Sequence, residues 1–96
     1  MSNPCTPSQL AEALARLPEW RHEDDALRRD LRFADFVEAF SFLSAVALLA
    51  ERHAHHPEIT NVYRDVTLAL RSHDAGNRVT ERDVALAEAI DAHLAR

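Results

Sequence analysis

Histidine is over-represented in this chain, six residues in 96, and three of them fall in the run His53-Ala54-His55-His56 directly before Pro57. Imidazole can both give and take a proton near neutrality, so it suits general acid–base work. Pro57 disfavours helical backbone at the residue before it, so a helix leading into the run must end near His53. The partial negative charge at a helix C-terminus favours a protonated imidazole there. Two other roles compete. A C-terminal His often caps the last carbonyls, although one capping residue suffices and two adjacent His precede the proline here. The run also has the ligand density of a metal site, with His73 as a further nitrogen. Against that, the single cysteine, Cys5, lies far away and no His-Glu-X-X-His pattern occurs. The expectation is no bound metal.

Three further residues stand out. His73 shares a strand parity with Thr67, Ala69 and Arg71, opposite Val66, Leu68 and Leu70. That places it at a strand end on the face away from the apolar packing. Asp83 is the third residue of a capping box opened by Thr80. Tyr63 reads most simply as a strand aromatic covering the sheet.

The elements that must position these residues are marked by their starts. Thr6-Pro7-Ser8-Gln9 opens a helix with Leu10, Ala13, Leu14 and Leu17 at helical spacing, closed by Pro18. Asp35-Phe36-Val37-Glu38 opens a second, running to about His53. It carries Phe36, Phe40, Leu43, Ala47 and Ala50 on one face and Phe42, Val46 and Leu49 beside them. Thr80-Glu81-Arg82-Asp83 opens a third, with Val84, Ala87, Ile90 and Leu94 inward. Between helices the period is two. Leu27, Arg29, Leu31 and Phe33 alternate with Arg28, Asp30 and Arg32, joined through Glu23-Asp24-Asp25 to a short strand around Trp20. Val66, Leu68 and Leu70 form a last strand, paired with Thr60 to Tyr63 through a turn near Arg64-Asp65. The sole glycine, Gly76, marks the tight loop. The order α-β-β-α-β-β-α predicts an α+β fold, a four-stranded antiparallel sheet with three helices on one face.

Composition bounds the rest. The chain is one domain's length, residues 1–96, with 47% apolar and 28% charged residues and a formal net charge of −5. All eleven basic residues are arginine. An acidic balance argues against nucleic acid and anionic membrane as partners. One cysteine excludes an intrachain disulfide framework. No stretch is apolar over a bilayer's thickness and no signal peptide is evident, so a cytoplasmic protein is expected.

Taken together, Glu51, His55-His56-Pro57, Tyr63, His73 and Asp83 resemble the pattern of the pterin-4a-carbinolamine dehydratase family. The spacing is three residues, then five, nine and nine. Phe33-Ala34-Asp35-Phe36, Asn61-Val62-Tyr63 and Leu86-Ala87 agree with it, and the likeness runs from about Leu10 to the C-terminus. It implies an α+β fold and the elimination of water from a 4a-hydroxytetrahydropterin, which recycles the pterin cofactor of aromatic amino acid hydroxylation. It implies His55, His56 and His73 as catalytic residues and Glu51, Pro57, Tyr63 and Asp83 as substrate-binding ones, with no cofactor. The alternatives are a non-catalytic dimerisation module and a metal-dependent enzyme at the His cluster. The two apolar faces of the second helix predict a homo-oligomer, dimer or tetramer, because a small sheet covers only one of them.

Overall fold

In the computed structural model, which describes residues 3–96, seven regular elements follow the expected order. They are α1 (Pro7–Arg16), β1 (Arg21–Glu23), β2 (Ala26–Arg32), α2 (Phe36–Arg52), β3 (Glu58–Val62), β4 (Asp65–Leu70) and α3 (Glu81–Leu94), with a 3-10 turn, His73–Ala75, between β4 and α3. The first two residues of the expected domain lie outside the described part. Strands pair antiparallel in the order β1-β2-β4-β3, so the two hairpins meet through their second strands. The register is set by Leu27 opposite Leu70 and Leu31 opposite Val66.

The capping signals act as chemistry requires. Thr6 and Gln9 form a reciprocal capping box at α1, and Asp35 accepts from the Glu38 N–H at 2.8 Å at α2. The Glu38 carboxylate reaches back one residue further than a capping box does, to the Ala34 N–H. The β1–β2 turn places Asp24 and Asp25 at φ 53 and 58, the two positive values of a type I′ hairpin turn.

Parity decides the layers. Leu27, Val66, Leu68 and Leu70 are buried against Ala13 and Leu17 of the α1 segment, Phe42 and Val46 of α2, and Leu86, Ala87 and Ile90 of α3. Each fully buried Leu, Val or Ile contributes on the order of 1.5–3 kcal/mol. Trp20, buried just before β1, donates its indole N–H to Asp91 Oδ1 at 2.8 Å, and Arg29 Nη1 donates to the same oxygen at 2.7 Å. These bonds tie α3 to the sheet.

Two expectations need correction. The core-facing side of α2 is Ala39, Phe42, Leu43, Val46 and Ala50. Phe36 and Phe40, assigned to one face with Leu43, are about half exposed at 48% and 55%, and Ala47 is also exposed. An apolar helix all round lets periodicity find several stripes, and only the third dimension selects one. Val46 therefore belongs to the monomer core, and the outward stripe is Phe36, Val37, Phe40, Ala47 and Leu48. Tyr63 is not on a strand. Val62 pairs with Asp65, so the two-residue turn is Tyr63-Arg64, one position earlier than expected, with Tyr63 at φ 54.

Candidate active site

The site begins where α2 stops. With His53 as the C-cap, the Ala54 N–H donates to Glu51 O and the His55 N–H donates to Ala50 O, the paired bonds of a Schellman motif. The residue between them, Ala54, takes φ 49. A glycine usually fills that position because a Cβ costs about 1–2 kcal/mol there. Arg82 from α3 holds the turn from outside, donating from Nη2 to Ala54 O at 2.6 Å. Together these bonds reverse the chain and turn His55 inward, to 7% exposure, and leave His56 outward.

His55 meets Asp83, which is fully buried. Its Nε2 is hydrogen-bonded to Asp83 Oδ1. The other carboxylate oxygen accepts from the Ser72 hydroxyl and from the Thr80 N–H, each at 2.9 Å. Asp83 is thus both the helix cap expected from sequence and the partner that fixes a histidine. A carboxylate only accepts, so Nε2 carries the proton and Nδ1 of neutral His55 keeps its lone pair. Thr80 N–H and Ser72 are themselves buried, so the three donors and one acceptor form a satisfied polar cluster rather than a loose contact.

His56 Nε2 is hydrogen-bonded to Glu51, one α2 turn back, with both side chains exposed. His73 opens the 3-10 turn, and its Nδ1 pairs with Asn77 Oδ1 at 2.6 Å, leaving Nε2 free of that bond. Gly76 closes the turn in the left-handed region at φ 72, and a backbone bridge between Ser72 and Arg78 clamps the loop base.

His55, His56 and His73 line one cleft of about 350 Å³, with Ala54, Arg71, Asp74 and Arg82 completing its wall. That volume lies at the low end of the range for small-molecule clefts, roughly 300–1,000 Å³. The three histidines expected to act together are therefore brought together. Asp83 and Glu51 stand behind them, each holding one imidazole. Pro57 is half-buried beside the cleft but does not line it. Tyr63 does not reach it within the chain. It sits at the hairpin tip, five residues from Glu58 and about 16 Å along an extended strand, with the Arg64 guanidinium 5.9 Å from its ring centre.

Sequence reasoning missed Ser72, Thr80 and the two arginines as parts of the site. Ser72 had a signal: it continues the inward parity of Val66, Leu68 and Leu70, where a polar side chain needs a partner. Arg71 shares the parity of His73. Arg82 carried no such signal. Among the described residues, no three or more His, Cys, Asp or Glu are arranged to hold a metal ion. A cavity of about 400 Å³ between α1 and α3, bordered by Cys5, Glu12, Arg16 and Glu88, contains no histidine. Burial, with Glu81 and Asp83 nearby, pushes the Cys5 thiol above its ordinary range and makes it a poor nucleophile.

An α+β domain whose cleft gathers three imidazoles, one of them backed by a buried carboxylate, is equipped for proton transfer. Comparison with known proteins places it more narrowly. The family model described as pterin 4 alpha carbinolamine dehydratase matches residues 3–93. The chain is 50% identical over 91 residues to a protein of Rhizorhabdus wittichii, covering 93% of each. It is 51% identical over 86 residues to one of Prochlorococcus marinus strain MIT 9303, covering 90% of this chain and 88% of the relative. Both carry the name "Putative pterin-4-alpha-carbinolamine dehydratase". The fold matches the crystal structure of a transcriptional coactivator/pterin dehydratase from Brucella melitensis with a TM-score of 0.88 and 40% identity, covering 94% of this chain and 97% of that one. The chain belongs to the pterin-4a-carbinolamine dehydratase family.

Proposed function

We propose that this chain, as a single cytoplasmic domain, removes water from a 4a-hydroxytetrahydropterin to give the quinonoid dihydropterin, recycling the cofactor of aromatic amino acid hydroxylation. The observation that carries the reading is the cleft in which Asp83-held His55 faces the same space as His56 and His73.

The reaction needs two proton movements. A base takes the proton from N5, whose electron pair then forms the C=N bond and expels the 4a-hydroxyl. An acid protonates that hydroxyl so that it leaves as water. His55 suits the base role, because Asp83 fixes its proton on Nε2 and stabilises the imidazolium that forms. His73 suits the acid role as its imidazolium, giving up the Nε2 proton while Nδ1–H keeps its bond to Asn77 Oδ1. The proton passes from His55 back to His73 through solvent to close the cycle. His56, oriented by Glu51, helps hold the pterin. Each acid or base is worth roughly 10²–10⁴-fold in rate, and no nucleophile or redox group is called for.

Replacing His55, His56 and His73 by Ala in turn and measuring dehydration above the spontaneous rate tests the assignment. Loss of about 10²-fold or more is expected at His55 and His73, with a KM effect dominating at His56. Wild-type activity in all three variants overturns it.

We also propose that the chain forms a homo-oligomer through the exposed α2 stripe. Phe36, Phe40 and Leu48 are 48%, 55% and 74% exposed, and an apolar row of that kind on a surface helix is an association site on a soluble domain. The edge strand β3, with Ile59 and Val62 exposed, offers a second contact.

A further inference from the structure

Arg71 is a cleft residue that the dehydration chemistry does not use. That reaction expels neutral water from a ring whose protons are handled by imidazoles, so it builds no negative charge for a guanidinium to meet. Yet Arg71 lines the cleft beside His55, His56 and His73, and its side chain is only 21% exposed. Its Nε is wholly enclosed and makes no hydrogen bond among the described residues. Glu58 approaches that nitrogen to 3.0 Å, but at an angle that makes no hydrogen bond, and its carboxylate is 57% exposed. Nε is therefore charge-paired with Glu58 and closed to a ligand, which leaves the Nη groups of the guanidinium as the donors a ligand would meet.

The neighbouring positions add to the charge. On the outer sheet face Arg28 stands opposite Ala69, two residues before Arg71, so the two arginines are diagonal neighbours across a small side chain. Arg28 repeats the pattern, with an enclosed, unbonded Nε and its nearest carboxylates 3.9 Å away. Arg82 brings another guanidinium to the cleft wall. Among the described residues the carboxylate in that wall is Asp74, which lies 3.8 Å from Arg82. Guanidinium forks match carboxylate and phosphate oxygens in geometry as well as in charge.

We infer that Arg71 is a specificity-determining residue that binds a negatively charged substituent, carboxylate or phosphate, on the pterin this cleft accepts. The inference rests on the dehydratase reading above, with the reacting ring on the histidines and the substituent toward Arg71. It makes Arg71 a binding residue and gives it no part in the proton transfers.

The test compares three ligands by quenching of pterin fluorescence: 6-hydroxymethylpterin, which is neutral at that position, 6-carboxypterin, and the phosphate monoester of 6-hydroxymethylpterin. The wild-type protein should bind at least one anionic ligand about 10- to 100-fold more tightly than the neutral one. Whichever anion binds more tightly identifies the source of the charge. The preference should shrink as salt rises. Arg71→Gln should abolish it while leaving affinity for 6-hydroxymethylpterin within about twofold, and Arg71→Lys should keep part of it. Equal binding of all three by wild-type protein overturns the inference, as does an Arg71→Gln variant that weakens neutral and anionic ligands alike. If Arg71→Gln does not fold, the wild-type salt series decides, and a preference insensitive to salt counts against the proposal. Turnover of a neutral 4a-hydroxytetrahydropterin, measured in parallel, separates the two readings. Anion preference without turnover contradicts the dehydratase, whereas turnover without anion preference contradicts only the role of Arg71.

Discussion

Asp83→Asn separates the proposed catalytic use of the buried carboxylate from its use as a helix cap. Asp83 accepts from His55, Ser72 and Thr80. Asparagine keeps the volume and one oxygen. That oxygen best serves the Ser72 hydroxyl and the Thr80 N–H, which have no other acceptor of equal strength. The amide NH₂ then faces His55 Nε2, which must accept instead of donate. The imidazole proton moves to Nδ1, and the lone pair is lost from the nitrogen that acts as base in the proposed mechanism. Hydrogen bonds to a charged group contribute about 1.5–3 kcal/mol and neutral ones about 0.5–1.5. Weakening three of them therefore costs roughly 2–4 kcal/mol. A domain of this length holds about 5–14 kcal/mol in total, so the variant folds, with a Tm lowered on the order of 10–30 °C. Its kcat at a temperature where it is fully folded should fall by about 10²–10⁴. Ser72→Ala is the control. It removes one donor to Asp83, lowers Tm by less, and leaves kcat within a few-fold because the His55 tautomer is untouched. Thermal melting and the absorbance of the quinonoid product supply both readouts. An Asp83→Asn enzyme with lowered Tm but near-wild-type kcat would refute the reasoning and reduce Asp83 to a cap.

Other outcomes follow from single features. Ala54→Gly should raise the urea midpoint: relief at φ 49 is worth about 1–2 kcal/mol and the extra chain entropy takes back about 0.4–1, so destabilisation would mean the turn is not strained. Val46→Glu should abolish folding, because Val46 is fully buried, whereas Phe40→Glu should keep the circular dichroism spectrum and lower the mass in sedimentation equilibrium. A wild-type mass near the 10.8 kDa monomer at micromolar concentration would end the oligomer proposal. The hydrogen bond from Arg32 holds Asp65 below its ordinary value. The pair's contribution is therefore full above the unfolded carboxylate value of about 3.9 and is lost as pH falls through the lower folded value. Carboxyl NMR of Arg32→Gln should show Asp65 titrating at higher pH than in the wild type.

What could be read from sequence was what local chemistry decides. Capping residues Thr6, Asp35 and Thr80 sit at helix starts because only there do their side chains meet free N–H groups. The Asp24-Asp25 turn and the parity of Leu68 and Leu70 are equally local. The grouping of His55, His56 and His73 in one cleft was reached through the family spacing, because residue type alone also allowed helix capping or metal binding. The failures share one cause, which is that long-range packing selects among locally equal options. On α2, Phe40 and Phe42 are equally apolar, and only the position of the sheet buries one and exposes the other. Asp83 was readable as a cap, but its second oxygen's link to His55 spans 28 residues and has no local mark. Ser72 and Arg71 became site residues by where β4 ends. Tyr63, legible as an aromatic, was misplaced because the turn register moved by one residue.

The most direct measurement is turnover. Purified wild-type protein is mixed with a 4a-hydroxytetrahydropterin generated in situ by a pterin-dependent hydroxylase, and formation of the quinonoid dihydropterin is followed by stopped-flow absorbance. The account predicts dehydration well above the spontaneous rate, rising linearly with protein concentration and reduced about 10²-fold or more by His55→Ala. A rate equal to the buffer control at every protein concentration, from protein that melts cooperatively, would contradict it.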